Sequence, residues 1–124
     1  MLHLDEYLIA SECSDADMVD PKKVELEAEL LSVLAQPTRL KILYFLKNGE
    51  KCACEINPRM REDASVISRH LVKMREAGIL DSRKEGVSIY YWIKEPRVFG
   101  ILQAADDILK STAQTRAREV VGAL

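Results

Sequence analysis

The spacing of apolar residues predicts five helical segments, one of them short, and one pair of strands. Val24, Leu26, Leu30, Leu31, Val33 and Leu34 recur with a mostly helical period, broad enough to be covered on more than one side. Asp20 and Pro21 supply this segment with an N-cap and a first helical residue. Pro37 cannot continue that helix but can open another. The stretch PTRLKILYFLK over 37–47 places Leu40, Leu43, Tyr44 and Leu46 on one face, and Asn48-Gly49 closes it. Residues 50–60, EKCACEINPRM, read as a short helix that must accommodate Pro58. Asp63 can cap a helix from Ala64 to Ala77, with Ile67, Leu71 and Met74 inward and Gly78 as terminator. The runs ILDSRK and VSIYYWI then flank Glu85-Gly86 as a hairpin, the second rich in β-branched and aromatic residues. Pro96 opens a last helix over about 96–121, striped by Val98, Ile101, Leu102, Ala105, Ile108 and Leu109.

Three helices ahead of a basic two-stranded hairpin is the order of a winged helix-turn-helix, mainly α with a small β-hairpin. Such a fold lays one helix in the major groove of DNA and its hairpin against the flanking backbone. Residues 21–121 make up this domain, and residues 1–20 form a flexible acidic arm. One recognition helix reads too few base pairs for a specific site, which argues for a two-fold dimer on a palindrome. The long last helix has more apolar stripe than one hairpin and three helices can cover.

A chain of 124 residues is one domain's worth and excludes a multidomain enzyme or a large barrel. No apolar run approaches the ~20 residues of a membrane span. MLHLDEYLIASE lacks the basic start of a signal peptide, so the expected compartment is the cytoplasm. The net charge of −2 hides a segregation. Residues 1–35 carry nine acids and two bases, whereas residues 36–94 carry twelve bases and seven acids. An acidic end on a basic middle is the asymmetry of a polyanion-binding module.

The recognition helix reads ASVISRHLVKMREA, with Ser65, Ser68, Arg69, Val72 and Lys73 outward. Its hydroxyls allow close approach to phosphate, Arg69 can grip guanine edges or phosphate, and His70 can donate to either or serve the structure. Arg83 and Lys84 beside the hairpin turn offer cations to the backbone. An ordinary solvated helix face is the competing reading of each signal alone. At this point the sequence resembles the ArsR/SmtB family of metal-responsive repressors. LLSVLAQPTRLKILYFL is similar to the family's opening helices, SVISRHLVKMREAGIL to its recognition helix and DSRKEGVSIYYWI to its wing. The resemblance covers about residues 28–94. It implies a homodimer, built from the first and last helices, that binds double-stranded operator DNA and lets go when an inducer binds.

The inducer chemistry points to the cysteines, of which there are three: Cys13, Cys52 and Cys54. An odd number does not make a disulfide framework. Thiolates are the soft ligands that thiophilic ions prefer. Residues i and i+2 of a regular helix do not face each other, so Cys52 and Cys54 can share one ion only if the helix start unwinds or tightens. The competing reading is that two small apolar thiols simply pack. Family resemblance adds that arsenic and cadmium sensors carry C-x-C here, although Lys51 replaces an apolar residue and Asn57 stands where arsenite sensors have a third Cys. Cadmium and lead sensors of the family complete the site from the N-terminal arm of the partner subunit, a role Cys13 could take. The implied inducers are As(III) or Sb(III) first, Cd(II) or Pb(II) second, with Cd(II) or Zn(II) wanting a fourth ligand such as Glu12, Asp15 or Asp17. The family's zinc site on the last helix is poorly supplied, because the two histidines are His3 and His70 and only Asp106 and Asp107 are at hand.

No organic cofactor is implied. A thiol redox-switch repressor of the same fold is the alternative; a close C-x-C disulfide is strained, which favours oxidation joining Cys13 to the pair. A small thiol enzyme would want C-x-x-C or a Cys with a partnered His, and neither is present.

Overall fold

The structure is a computed structural model that describes residues 19–123, with side chains to residue 119. Residues 1–18 of the arm, including Cys13 and the possible further ligands Glu12, Asp15 and Asp17, lie outside the described residues. Helix α1, Pro21–Leu34, starts as the sequence predicts, with Asp20 Oδ1 accepting from Lys22 N at 2.9 Å. Helix α2, Pro37–Leu46, is capped by Gln36, whose Oε1 accepts from Arg39 N at 2.9 Å. Its inward face is Ile42, Leu43 and Leu46, with Leu40 half-buried. Tyr44, expected inside, is exposed and meets the Phe99 ring at 6.1 Å. The stripe of α2 is rotated because the helix packs on the recognition helix and the sheet rather than on α1 alone.

Segment 50–60 is not one helix. Strand β1, Lys51–Cys52, leads into a one-turn helix α3, Ala53–Ile56, and a 3-10 turn over Asn57–Arg59 that holds Pro58. The recognition helix α4 spans Ala64–Glu76. Asp63 stands at its N-cap as expected, but its side chain makes no capping bond; its carbonyl accepts from Val66 N and Ile67 N. Gly78 ends the helix at φ 82°, with Gly78 N bonded to Arg75 O and Ile79 N to Met74 O. That is a Schellman ending, which favours a residue without Cβ at this position. It sends Ile79 and Leu80 straight back into the core.

Strands β2, Leu80–Glu85, and β3, Ser88–Ile93, pair antiparallel from Glu85↔Ser88 to Leu80↔Ile93. The turn is Gly86-Val87, one residue later than the sequence pattern places it, with Gly86 at φ 62°. Strand β1 adds to the other edge of β3 through Lys51↔Tyr91 and Cys52↔Tyr90, so the wing is a three-stranded sheet in the order β1-β3-β2.

One core joins α1, α2, α3, α4, the sheet and the start of α5 through Leu34, Ile42, Leu43, Leu46, Ile56, Ile67, Leu71, Met74, Ile79, Leu80, Tyr91 and Val98. Each such aliphatic side chain contributes about 1.5–3 kcal/mol by leaving water. Helix α5, Val98–Ala123, continues well beyond this core. It leaves Ile101, Ile108 and Leu109 exposed, as α1 leaves Val24, Leu26, Leu30 and Leu31. The breadth of apolar surface read from the first segment is therefore real, but the core of one chain covers only Leu34 fully.

The start of α5 carries a testable ion pair. Glu95 Oε2 accepts from Arg97 N at 3.1 Å and Nε at 2.8 Å, and Oε1 accepts from Arg97 NH2 at 2.6 Å. These bonds hold its carboxyl down from an ordinary 4.5 to about 2. A depressed folded-state pKa stabilises fully above the unfolded value and is lost as pH falls through the folded one. The Tm gap between wild type and Glu95→Gln should thus shrink as pH drops from about 4.5 to about 2. A gap independent of pH over that range would refute it. The pair is exposed and its contribution modest.

Candidate nucleic-acid interface and thiol pair

Helix α4 presents Ser65, Ser68, Arg69 and Lys73 to solvent along one side, with Val72 half-buried between them. The opposite side buries Ile67, Leu71 and Met74, which leaves the polar side facing outward. Arg69 and Lys73 form no ion pair among the described residues. The outward face therefore offers two charges and two hydroxyls at helical spacing.

His70 is a correction. It is only 8% exposed and does not join that face. Arg39 Nε donates to its Nδ1 at 3.0 Å, so Nδ1 is the acceptor and the ring hydrogen sits on Nε2. Nε2 faces Glu62 Oε1 at 3.3 Å and Oε2 at 3.4 Å. Glu62 also accepts from the Thr38 hydroxyl. The Thr38 bond chiefly holds the Glu62 carboxyl below its usual range, against the raising effect of partial desolvation and with help from His70. Arg39 NH1 meanwhile donates to Val33 O at 3.0 Å. Arg39 thus ties the end of α1 and helix α2 to the middle of α4, and Glu62 ties in the turn before α4. A buried polar group leaves water without penalty only when its partners are supplied, and here each one is. Sequence reasoning missed Thr38, Arg39 and Glu62 as functional residues. The available signal was two polar side chains, Thr38 and Arg39, opening a run as apolar as LKILYFL.

On the wing, Lys84 and Arg83 are both exposed, but their situations differ. Lys84 has no ion-pair partner among the described residues. Arg83 NH2 meets Glu50 Oε1 at 2.7 Å, its NH1 meets Glu85 Oε2 at 3.5 Å, and its guanidinium lies 4.5 Å from the Tyr90 ring centroid.

The thiols come together without the unwinding that a regular helix would demand. Cys52 is the N-cap of α3, in extended conformation at φ −69° and ψ 145°, and so lies outside the helix that holds Cys54. Its Sγ accepts from Cys54 N at 3.1 Å, and its own N–H donates to Glu55 Oε1 at 3.1 Å, a reciprocal capping box. The Cα atoms are 5.0 Å apart and the two sulfurs are joined as a disulfide. The strand-to-helix corner, not a helical turn, separates the residues. Cys52 is buried and Cys54 exposed, so an agent from solvent meets Cys54 first. In reduced form the pair gives two convergent soft donors. Among the described residues no group of three His, Cys, Asp or Glu could hold a metal ion. That donor set fits the beginning of a thiophilic-ion site and does not fit a closed four-ligand zinc site. On α5, Asp106 pairs with Lys110 at 3.0 Å and Asp107 accepts from Gln103 at 3.0 Å.

Residues 36–82, from the cap of α2 through the middle of β2, match the bacterial regulatory proteins of the arsR family. An uncharacterized HTH-type transcriptional regulator of Methanocaldococcus jannaschii is 38% identical over 88 residues, covering 70% of this chain and 99% of that protein. The chain belongs to the arsR family. This ArsR-family protein is a DNA-binding transcriptional regulator of the repressor type and not an enzyme. The arsenical resistance operon repressor of Escherichia coli K12 is 39% identical over 67 residues, covering 53% of this chain and 57% of that one. The cadmium resistance regulatory protein CadC of Listeria innocua is 31% identical over 72 residues, covering 57% and 60%. This ArsR-family chain thus spans just over half the length of those two metal-named relatives. Among solved structures, M. tuberculosis Rv0081 superposes with a TM-score of 0.70 at 27% identity, covering 80% of this chain and 99% of that one. The homodimeric winged helix-turn-helix DNA-binding domain Mb0332 of Mycobacterium bovis gives 0.61 at 27% identity, covering 73% and 88%. Among the described residues of this regulator, no helix is long and apolar enough to cross a membrane.

Proposed function

We propose that the protein is a cytoplasmic, homodimeric repressor whose Cys52 and Cys54 bind a thiophilic metal or metalloid and so release operator DNA. As(III) or Sb(III) is the first choice of inducer, Cd(II) or Pb(II) the second. The observation that carries this reading is the convergence of the two sulfurs at the β1–α3 corner. Two soft donors at one point are what such ions need. The names of the arsenical and cadmium relatives agree with it. Residues 21–121 carry both DNA binding and dimerisation, and residues 1–20 carry the arm. Cys13 would complete a three-thiolate set from there. The apolar faces of α1 and α5 would be covered by a second copy, as the homodimeric neighbour supports.

DNA would be met by Ser65, Ser68, Arg69 and Lys73 of α4 in the major groove, and by Arg83 and Lys84 on the flanking phosphates. Arg69→Ala should weaken binding to a duplex selected by the wild type from a random pool. If Arg69 grips a guanine, discrimination falls by ~1–3 kcal/mol at that position. Competition assays against scrambled duplex check this; wild-type discrimination in Arg69→Ala would remove its base-reading role. The joined sulfurs favour a second reading, a redox-switch repressor. That reading requires an oxidant for release and predicts none from ions in excess reductant.

A further inference from the structure

The thiol pair is built into the wing's sheet, not only into the helix before α4. Cys52 pairs across β1–β3 with Tyr90, and Tyr90 pairs across β3–β2 with Arg83. Cys52, Tyr90 and Arg83 therefore stand in one row across the three strands. Two residues before Cys52, Glu50 reaches over the row and holds the Arg83 guanidinium at 2.7 Å. The Tyr90 ring lies beneath that guanidinium at 4.5 Å and limits where it can move. With Glu50 on one side and Glu85 on the other, the positive charge that this position would offer to a phosphate is already matched.

We propose that Glu50 is an internal competitor for the DNA phosphate at the wing, and that β1 links its grip on Arg83 to the state of Cys52 and Cys54. The inference rests on the reading that the wing meets phosphate and that the thiols take the inducer. With the sulfurs drawn together, Glu50 sits on Arg83. With the thiols apart, β1 loses the link between the sulfurs while keeping its two residue pairs with β3 and the Cys52–Glu55 bond, and Glu50, which precedes the strand, is freer to leave. Arg83 then turns to the duplex. A carboxylate and a phosphate oxygen present the same kind of acceptor to a guanidinium, so the exchange keeps its hydrogen bonds. An inducer that draws the sulfurs together thereby needs to fix only a short strand edge to withhold a phosphate contact. Glu50 is a positioning residue in this scheme, because it touches neither inducer nor DNA.

The test uses the full chain with Glu50→Gln, Arg83→Ala and the double variant. Binding to random-sequence duplex is followed by anisotropy across a salt series in reductant, with and without Cd(II). Thermal melts confirm folding, and Cd(II)-thiolate absorbance in the ultraviolet reports loading. Without metal, Glu50→Gln should bind a factor of about two to five more tightly, the range of an exposed ion pair. Its salt slope should steepen by about one phosphate contact. With Cd(II) bound, Glu50→Gln should lose less affinity than wild type at equal absorbance. In the Arg83→Ala background, Glu50→Gln should change nothing further. Equal affinity and slope for Glu50→Gln and wild type would overturn the proposal. So would equal gain in the Arg83→Ala background, which would mean a general charge effect. Absence of Cd(II)-thiolate absorbance in wild type would instead overturn the inducer reading and the link to the thiols. The metal-free slopes would still decide whether Glu50 competes for Arg83.

Discussion

Arg39→Ala is expected to cost about 2 kcal/mol of stability and to weaken operator binding about tenfold, although Arg39 is not on the DNA-facing side. The substitution strands two acceptors at once, His70 Nδ1 and Val33 O, in partly buried surroundings. Each unsatisfied group of this kind costs about 1–3 kcal/mol, less whatever water recovers. His70 then loses the bond that fixes its tautomer and ring, and with it the orientation of α4 against α2. Tilting α4 spoils the register of Ser65, Ser68, Arg69 and Lys73 together. No phosphate contact is removed, so the salt slope should stay at the wild-type value while affinity falls. Arg39→Lys should not restore binding, because one ammonium cannot serve two diverging acceptors as the planar guanidinium does. Urea unfolding and anisotropy measure the two effects. Wild-type affinity in Arg39→Ala would show that α4 is held by its apolar face alone.

Replacing both Cys52 and Cys54 by Ser should abolish ion-induced release while changing DNA affinity without ion by no more than a few-fold. Ser can still cap α3, since its hydroxyl accepts from the N–H that Cys52 Sγ accepts from, and Ser is a preferred N-cap residue. The corner should therefore fold. What disappears is softness: a hydroxyl at neutral pH is a poor ligand for As(III) or Cd(II). Cys54→Ser alone should be nearly as damaging, because Cys54 is the sulfur exposed to solvent. Release by arsenite that survives in the double variant would place the inducer site elsewhere.

Much of the architecture was legible because it is written locally. The stripe Ile67, Leu71 and Met74, the Asp20-Pro21 start and the terminator Gly78 each declare themselves within a turn or two of chain. The recognition face follows once that stripe is assigned to the core. Features set by distant partners were not legible. Strand β1 is two residues long and exists only because Tyr90 and Tyr91 present an open edge to it. No propensity of Lys51 or Cys52 announces that. His70 turns inward because Arg39, 31 positions earlier, meets it. Arg83 has its charge matched by Glu50, 33 positions earlier, so a wing cation looked freer in sequence than it is. The C-x-C pair was recognisable by residue type, but its geometry depends on where the strand stops and the helix begins. A shift of one residue would have put both cysteines inside a helix and parted them.

The charge segregation also gains a finer meaning. The basic middle of the chain carries its acids at chosen places. Glu62 serves the α2–α4 clasp, and Glu50 and Glu85 attend Arg83. Arg69, Lys73 and Lys84 are left as the cations of the face without ion-pair partners among the described residues.

The most direct test of the central claim is a titration of the wild-type protein, bound to its selected duplex in excess reductant, with arsenite, antimonite, Cd(II), Pb(II) and Zn(II) in turn. Anisotropy reports the DNA and thiolate absorbance reports the ion. The account predicts release by arsenite or antimonite at the lowest concentrations, then by Cd(II) or Pb(II), each in step with thiolate absorbance. DNA that stays bound through every ion, and leaves only when an oxidant is added, would contradict it.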